Sequence, residues 1–185
     1  MRADIARVAY PLFHADDGGS SPTSALQLNV REVNVRQAQK LNDMWHSVLP
    51  DTHLGNLVGK PKVVCYEAEF NEVAYAVAIW TSPIAANRLI NGWSMLELRR
   101  LAIADDAPKN TASRMLRIMR ILISRKFPDV IRLISYQAEA HHSGTIYKAS
   151  GWTRASRSES SSWHKTTQRD LRQTGSAVIR WEYSM

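Results

Sequence analysis

The spacing of hydrophobic positions changes several times along the chain, and each change predicts an element. Residues 14 to 25 are small, polar and turn-forming with nothing to bury, which predicts a flexible N-terminal leader over residues 1–25. From Leu26 the apolar residues Leu28 and Val30 alternate with polar ones, the period of a half-buried strand. Asn34 then stands as a helix cap. Val35 to Val48 places Val35, Ala38, Leu41, Met44 and Trp45 on one helical face, with His46 beside it and Pro50 closing it. Lys62 to Phe70 and Glu72 to Trp80 read as strands around a polar corner at Asn71, a hairpin. After the turn-prone Ser82 to Gly92, Met95 to Ile103 is another strand, ended by Asp105, Asp106 and Pro108. Asn110 opens a helix whose apolar face is Met115, Leu116, Ile118, Met119, Leu122 and Ile123, with Phe127 and Pro128 as its stop. Val130 to Tyr136 suits a buried strand, Ser143 to Ser150 a short helix before Gly151, and Ala177 to Tyr183 a last strand after a Ser-rich tail at 156 to 162. With no repeat and no second core, the expectation is an α/β fold with a single domain over residues 26–185.

Composition narrows the function. The longest apolar run, Val73 to Trp80, is far short of the roughly 20 residues of a membrane span. Met1 to Phe13 lacks the pattern of a secretory signal. Cys65 stands alone, which excludes an internal disulfide framework and a thiolate-rich zinc site. A cytoplasmic protein without membrane contact is expected. Lys and Arg number 24 against 17 Asp and Glu, and the resulting charge of +7 favours phosphate-bearing partners.

Three constellations carry candidate chemistry. The strand Glu97-Leu98-Arg99-Arg100-Leu101 leads through Ala107 and Pro108 to Lys109, Asn110 and Ser113 at a helix start, where unpartnered N–H groups favour an anion. Ordinary capping by Asn110 or Thr111 explains the same residues. Next, neighbouring strand residues face opposite ways, so Arg99 and Arg100 share a side only across a bulge. One of them turned inward needs an acceptor, with Glu97 or Glu139 as its partner. Finally, titratable groups crowd the segment from Ser135 and Tyr136 through Glu139, His141, His142 and Tyr147 to Trp152. A metal cluster of Glu139, His141 and His142 is disfavoured, because adjacent histidines rarely share one ion on a regular element.

Together these motifs resemble the phage Mom family of DNA-modification proteins, divergent relatives of the GNAT acyltransferase fold. The similar stretch runs from about Asn29 to Tyr183. It is carried by Glu97 to Leu101, Ala107 to Asn110 with Ser113, Ser135-Tyr136, and His142 to Trp152, with a looser fit at Trp45-His46 and at Arg180 to Tyr183. The resemblance implies a GNAT-like mixed central sheet flanked by helices. It implies a transferase that converts adenine in DNA to a carbamoylmethyl derivative and so protects phage DNA from restriction, working in the host cytoplasm. Arg100 and Tyr147 match catalytic positions, while Asn110 and Ser113, beside Lys109, match the donor-binding helix start. Two departures stand out. Where the family usually has Asp after the Ser-Tyr pair, this chain has Ala138, with Glu139 next to it as a substitute. The stretch Ala107 to Ala112 also lacks the glycines with which GNAT enzymes approach the pyrophosphate of acetyl-CoA. The donor, acetyl-CoA or another activated small molecule, is left open.

On this reading a flipped adenine enters a pocket. Glu139 or His142 takes a proton, Tyr147 protonates a leaving group, and Arg100 stabilises developing charge. His46, Trp45, Trp93, Glu97, Ser135 and Tyr136 are the substrate-side candidates. Lys109, Arg114, Arg117, Arg154, Arg157, Lys165, Arg169 and Arg172 are the candidates for DNA phosphates. The competing readings are an acetyltransferase using acetyl-CoA on a small amine or protein, and an inactive DNA-binding relative.

Overall fold

The sheet grows from the hairpin at Asn71. In the computed structural model, which describes residues 21–46, 57, 60–83, 94–158 and 177–185, strand β2 (Val63–Phe70) turns into β3 (Val73–Thr81) through Asn71 and Glu72. Both turn residues are left-handed, at φ 49° and 65°, as a two-residue turn must be to follow the strand twist. Strand β1 (Asn29–Val33) pairs with β2, and β4 (Met95–Ile103) with β3, all antiparallel. Strand β5 (Arg132–Ala138) runs parallel to β4. The last strand, β7 (Val178–Ser184), lies between β5 and β6 (Thr153–Ser158), antiparallel to both. The mixed sheet thus has seven strands in the order β1-β2-β3-β4-β5-β7-β6.

Helices cover both faces. Helix α1 (Val35–Trp45) is capped by Asn34, whose side chain accepts from Gln37 N at 2.8 Å. It buries Ala38 and Leu41 against Cys65, Val77, Ile79 and Ala102. Helix α2 (Thr111–Lys126) buries all six of its expected apolar positions, packing them into the larger core with Trp80, Leu96 and Leu133. Helix α3 (Thr145–Ala149) is one turn that delivers Tyr147 to that core.

The differences from the sequence reading have local causes. The first strand begins at Asn29, not Leu26, because Ser24 caps a 3-10 turn over Ala25–Gln27 and the Gln27 side chain returns to the Ser24 backbone. Met44 is 63% exposed while Asn42 is buried, so the inner face of α1 is narrower than its apolar spacing suggests. Strand β6 was not foreseen: its six residues are all exposed and show no alternation. Residues 1–20 of the expected leader, positions 84–93 of the expected turn with Trp93, and positions 159–176 with Lys165, Arg169 and Arg172 lie outside the described residues.

Two irregularities of β4 prepare a site. Its pairing with β5 runs from Met95↔Arg132 to Leu98↔Ser135 and stops there, so the two strands part company beyond. On its other edge Ile79 faces Arg100 and Trp80 faces Leu98, which leaves Arg99 as the extra residue of a bulge.

Candidate active site

A cavity of about 460 Å³ fills the gap where β4 and β5 separate. Beyond the last paired residues, Arg99, Arg100, Leu101 and Ile103 line one wall and Tyr136, Gln137 and Ala138 the other. His46, Ser135, His141, His142 and Tyr147 also line it. The bulge brings both arginines to it, which an unbroken strand forbids. Among the described residues the lining holds imidazoles, guanidiniums and phenols but no carboxylate. A smaller recess of about 200 Å³ adjoins it at the start of α2, formed by Pro108, Asn110, Thr111 and Ser113 and sharing Ile103, Ala112, Thr145 and Ile146 with the larger cavity.

Arg100 donates from Nη1 to the Arg99 carbonyl at 2.7 Å, while its buried Nε has no hydrogen-bond partner among the described residues. Burial lowers its pKa, with the Arg99 charge adding to the effect and Asp43 and Glu97 opposing it. An unmet buried donor costs about 1–3 kcal/mol, and Arg100 lines the cavity where an acceptor would meet it. His46, the C-cap of α1, has its pKa lowered by burial first, then by Arg100 and by His142. Burial and the neighbouring His141 lower that of His142. Both imidazoles are therefore biased towards the neutral, proton-accepting form.

The Tyr147 hydroxyl lies 2.8 Å from that of Ser135. Burial raises its pKa, opposed by the Ser135 hydrogen bond, so it stays protonated. The ring is fixed by stacking on Trp181, with centroids 5.3 Å apart, and by the edge of Trp152. Trp181 donates from Nε1 to Gln137 Oε1 at 2.6 Å, and the Gln137 amide nitrogen donates to the His142 carbonyl. Gly144, at φ +72°, closes this cluster: a Cβ there would sit 2.6 Å from Gln137 Oε1 and from Trp181 Cζ2. Gln137, Gly144 and Trp181 were not among the site residues expected from the sequence, although Gly144 and Trp181 lie in stretches that carry the family resemblance. Their signal was present in β5, where Ser135 and Gln137 are polar on the inward face that Leu133 begins.

Of the expected site residues, His46, Arg100, Ser135, Tyr136, His142 and Tyr147 meet in the cavity, and Asn110 and Ser113 border the recess. The others are elsewhere. Glu139 does not replace the missing Asp: it turns to β6 and pairs with Arg157 at 2.8 Å. Glu97 is buried in an ion pair with Arg99 at 2.8 Å, Trp45 packs beside the α1 core, and Lys109 is exposed outside both recesses. Asn110 is left-handed and makes no side-chain cap bond. Four of the expected phosphate ligands are engaged within the chain: Arg114 with the Leu28 carbonyl and Arg117 with the Ala149 carbonyl, each at 2.9 Å, and Arg154 and Arg157 with Glu139. Cys65 is no nucleophile, since burial pushes its pKa up to about 12. Among the described residues no three His, Cys, Asp or Glu side chains are grouped to hold a metal ion, and no helix is long and apolar enough to cross a membrane.

The recess does not fit the pyrophosphate of acetyl-CoA in the manner of a glycine-rich turn. Pro108 has no N–H, the Thr111 N–H is bonded to the Pro108 carbonyl at 3.3 Å, and every residue from 107 to 112 carries a Cβ.

Comparison with known proteins gives the same fold. The Mom protein family model matches residues 75–182, a span that holds β4, Trp181 and the lining of both recesses apart from His46. No curated protein sequence matches the chain. Among solved structures it is similar to a ribosomal-protein alanine N-acetyltransferase from Escherichia coli, with a TM-score of 0.59 at 12% identity over 85% of this chain and 93% of that one. An acetyltransferase of the GNAT family from Streptococcus pneumoniae gives 0.59 at 12% over 85% and 99%. The Bacillus subtilis acetyltransferase in complex with CoA gives 0.56 at 10% over 85% and 99%. At these identities the likeness establishes the GNAT fold.

Proposed function

The chain belongs to the Mom protein family, and from that premise we propose that it is a transferase that converts adenine in DNA to a carbamoylmethyl derivative, protecting phage DNA from restriction. The observation that carries this reading is the convergence of Arg100, His46, His142 and the Ser135–Tyr147 pair on one cavity continuous with the recess at α2. Such a two-part cleft suits a base in the larger part and a small activated donor in the smaller. Its volume lies within the usual range for ligand sites. Adenine in a duplex is stacked, so the base is extruded to reach it, and the exposed ring of Tyr136 at the rim offers a stacking surface.

The exocyclic amine attacks the electrophilic carbon of the donor, and the bond from that carbon to the leaving group breaks. The amine proton passes to His142 or His46, which are neutral at physiological pH. Tyr147 protonates the leaving group, and the Ser135 hydroxyl steadies the phenol. Arg100 Nε–H donates a hydrogen bond to the group on which negative charge develops. CoA-type donors are the ligands of fold relatives, as the Bacillus subtilis complex illustrates. The α2 turn offers them no glycine cradle, so no step here depends on one.

Mass spectrometry of nucleosides from cells expressing the protein tests the proposal. A modified deoxyadenosine that disappears with Arg100→Ala and with Tyr147→Phe is the expected result. Unmodified DNA beside folded protein, with acetylated small amines or proteins instead, overturns it in favour of a conventional acetyltransferase.

A further inference from the structure

Glu139, just past the end of β5, is held by two guanidiniums of β6, Arg157 Nε at 2.8 Å from Oε2 and Arg154 Nη2 at 3.9 Å from Oε1. All three side chains are 39–49% exposed, and an ion pair this open to water contributes little to folding and exchanges readily. No core packing calls for arginines on β6, because every residue of that strand faces solvent. The sheet register sets the group beside the cavity: Gln137, in the cavity wall, is opposite Ile179, and Ile179 is opposite Arg157. That is two strand spacings, about 10 Å. A carboxylate seated on two guanidiniums presents the same acceptor pattern as a phosphodiester.

We propose that Arg154 and Arg157 form the docking site for a DNA phosphate next to the reacting base, and that Glu139 occupies this site in the free protein as an internal competitor that DNA displaces. The inference rests on the reading that DNA is the substrate, and it gives the unforeseen strand β6 its purpose. Complementarity of charge supports DNA as the occupant, since the chain carries +7 overall. Glu139 has a second consequence, for it neutralises much of the arginine pair until a polyanion arrives and so weakens attraction to isolated small anions.

Fluorescence anisotropy of a short duplex with the full chain, at about 50 to 200 mM salt, tests it. Glu139→Gln is expected to tighten binding about threefold to tenfold. Replacing both Arg154 and Arg157 by Gln is expected to weaken binding and to reduce the salt slope by about 0.9 for the lost phosphate contact. Glu72→Gln, the same change of charge at the remote hairpin, is expected to have a smaller effect than Glu139→Gln. The proposal is overturned if Glu139→Gln leaves affinity unchanged or lower, if Glu72→Gln tightens binding as much, or if loss of the arginines leaves the slope intact. A chain that binds no duplex under any of these conditions overturns the DNA reading itself, whereas duplex binding indifferent to these changes overturns only the role given to Glu139.

Discussion

Single atoms decide much of this site. At Gly144 the missing Cβ is what lets Gln137 and Trp181 meet, and the positive φ adds strain to any replacement. Gly144→Ala is therefore expected to destabilise the fold by about 2 kcal/mol or more, seen as a thermal transition lowered by several degrees. Tyr147→Phe keeps the stack on Trp181 and removes only the hydroxyl that meets Ser135. It should cost about 1–3 kcal/mol of stability, because the buried Ser135 hydroxyl loses its partner, and about 100-fold or more in modification rate, measured side by side by melting and nucleoside analysis. His46 and His142 titrate below the usual 6.5 when folded, so between that value and their lowered ones the unfolded chain binds more protons. Stability then rises with pH through this window and falls as pH drops below about 6.5. Denaturant midpoints at pH 5 and 8 check the sign, and replacing both histidines by Gln should flatten the difference. Arg100, Tyr147 and His142 were legible as candidates because reactive types crowd one strand and one loop. Gln137 and Trp181 were not, because their importance lies in a bond between partners 44 residues apart.

At the scale of elements, legibility followed burial. The apolar face of α2 was readable in full because all six positions are buried and helical spacing shows such a face directly. The hairpin was readable from its two strands and polar corner. Strand β6 was invisible, since a ribbon exposed on both sides has no period to betray it. Glu139 was misplaced for the same reason, its partners being on that unseen strand. The arginine bulge lay between these cases, since adjacent charges announced a need that only the register satisfied. The hairpin offers an independent test, because Glu72 holds φ 65° where glycine would be unstrained. Its backbone bond to Glu69 Oε2 survives the loss of its side chain. Glu72→Gly should stabilise by about 1 kcal/mol, raising the melting point by about 2–4 °C.

For the whole molecule, the sum of charges matters more than any one of them. A net +7 predicts that affinity for any duplex falls steeply as salt rises, and a flat titration would show that the basic residues serve some other end. The order of the sheet carries a consequence for synthesis. Among the described residues strand β6 is hydrogen-bonded into the sheet through β7, and β7 also supplies the indole on which Tyr147 rests. As the ribosome delivers the chain from its N-terminus, β6 emerges before the one strand it can dock on, and the phenol before its platform. The Tyr147 ring therefore gains its stacking partner when the closing strand joins the sheet, so the cavity wall it forms is among the last parts of the fold to be fixed.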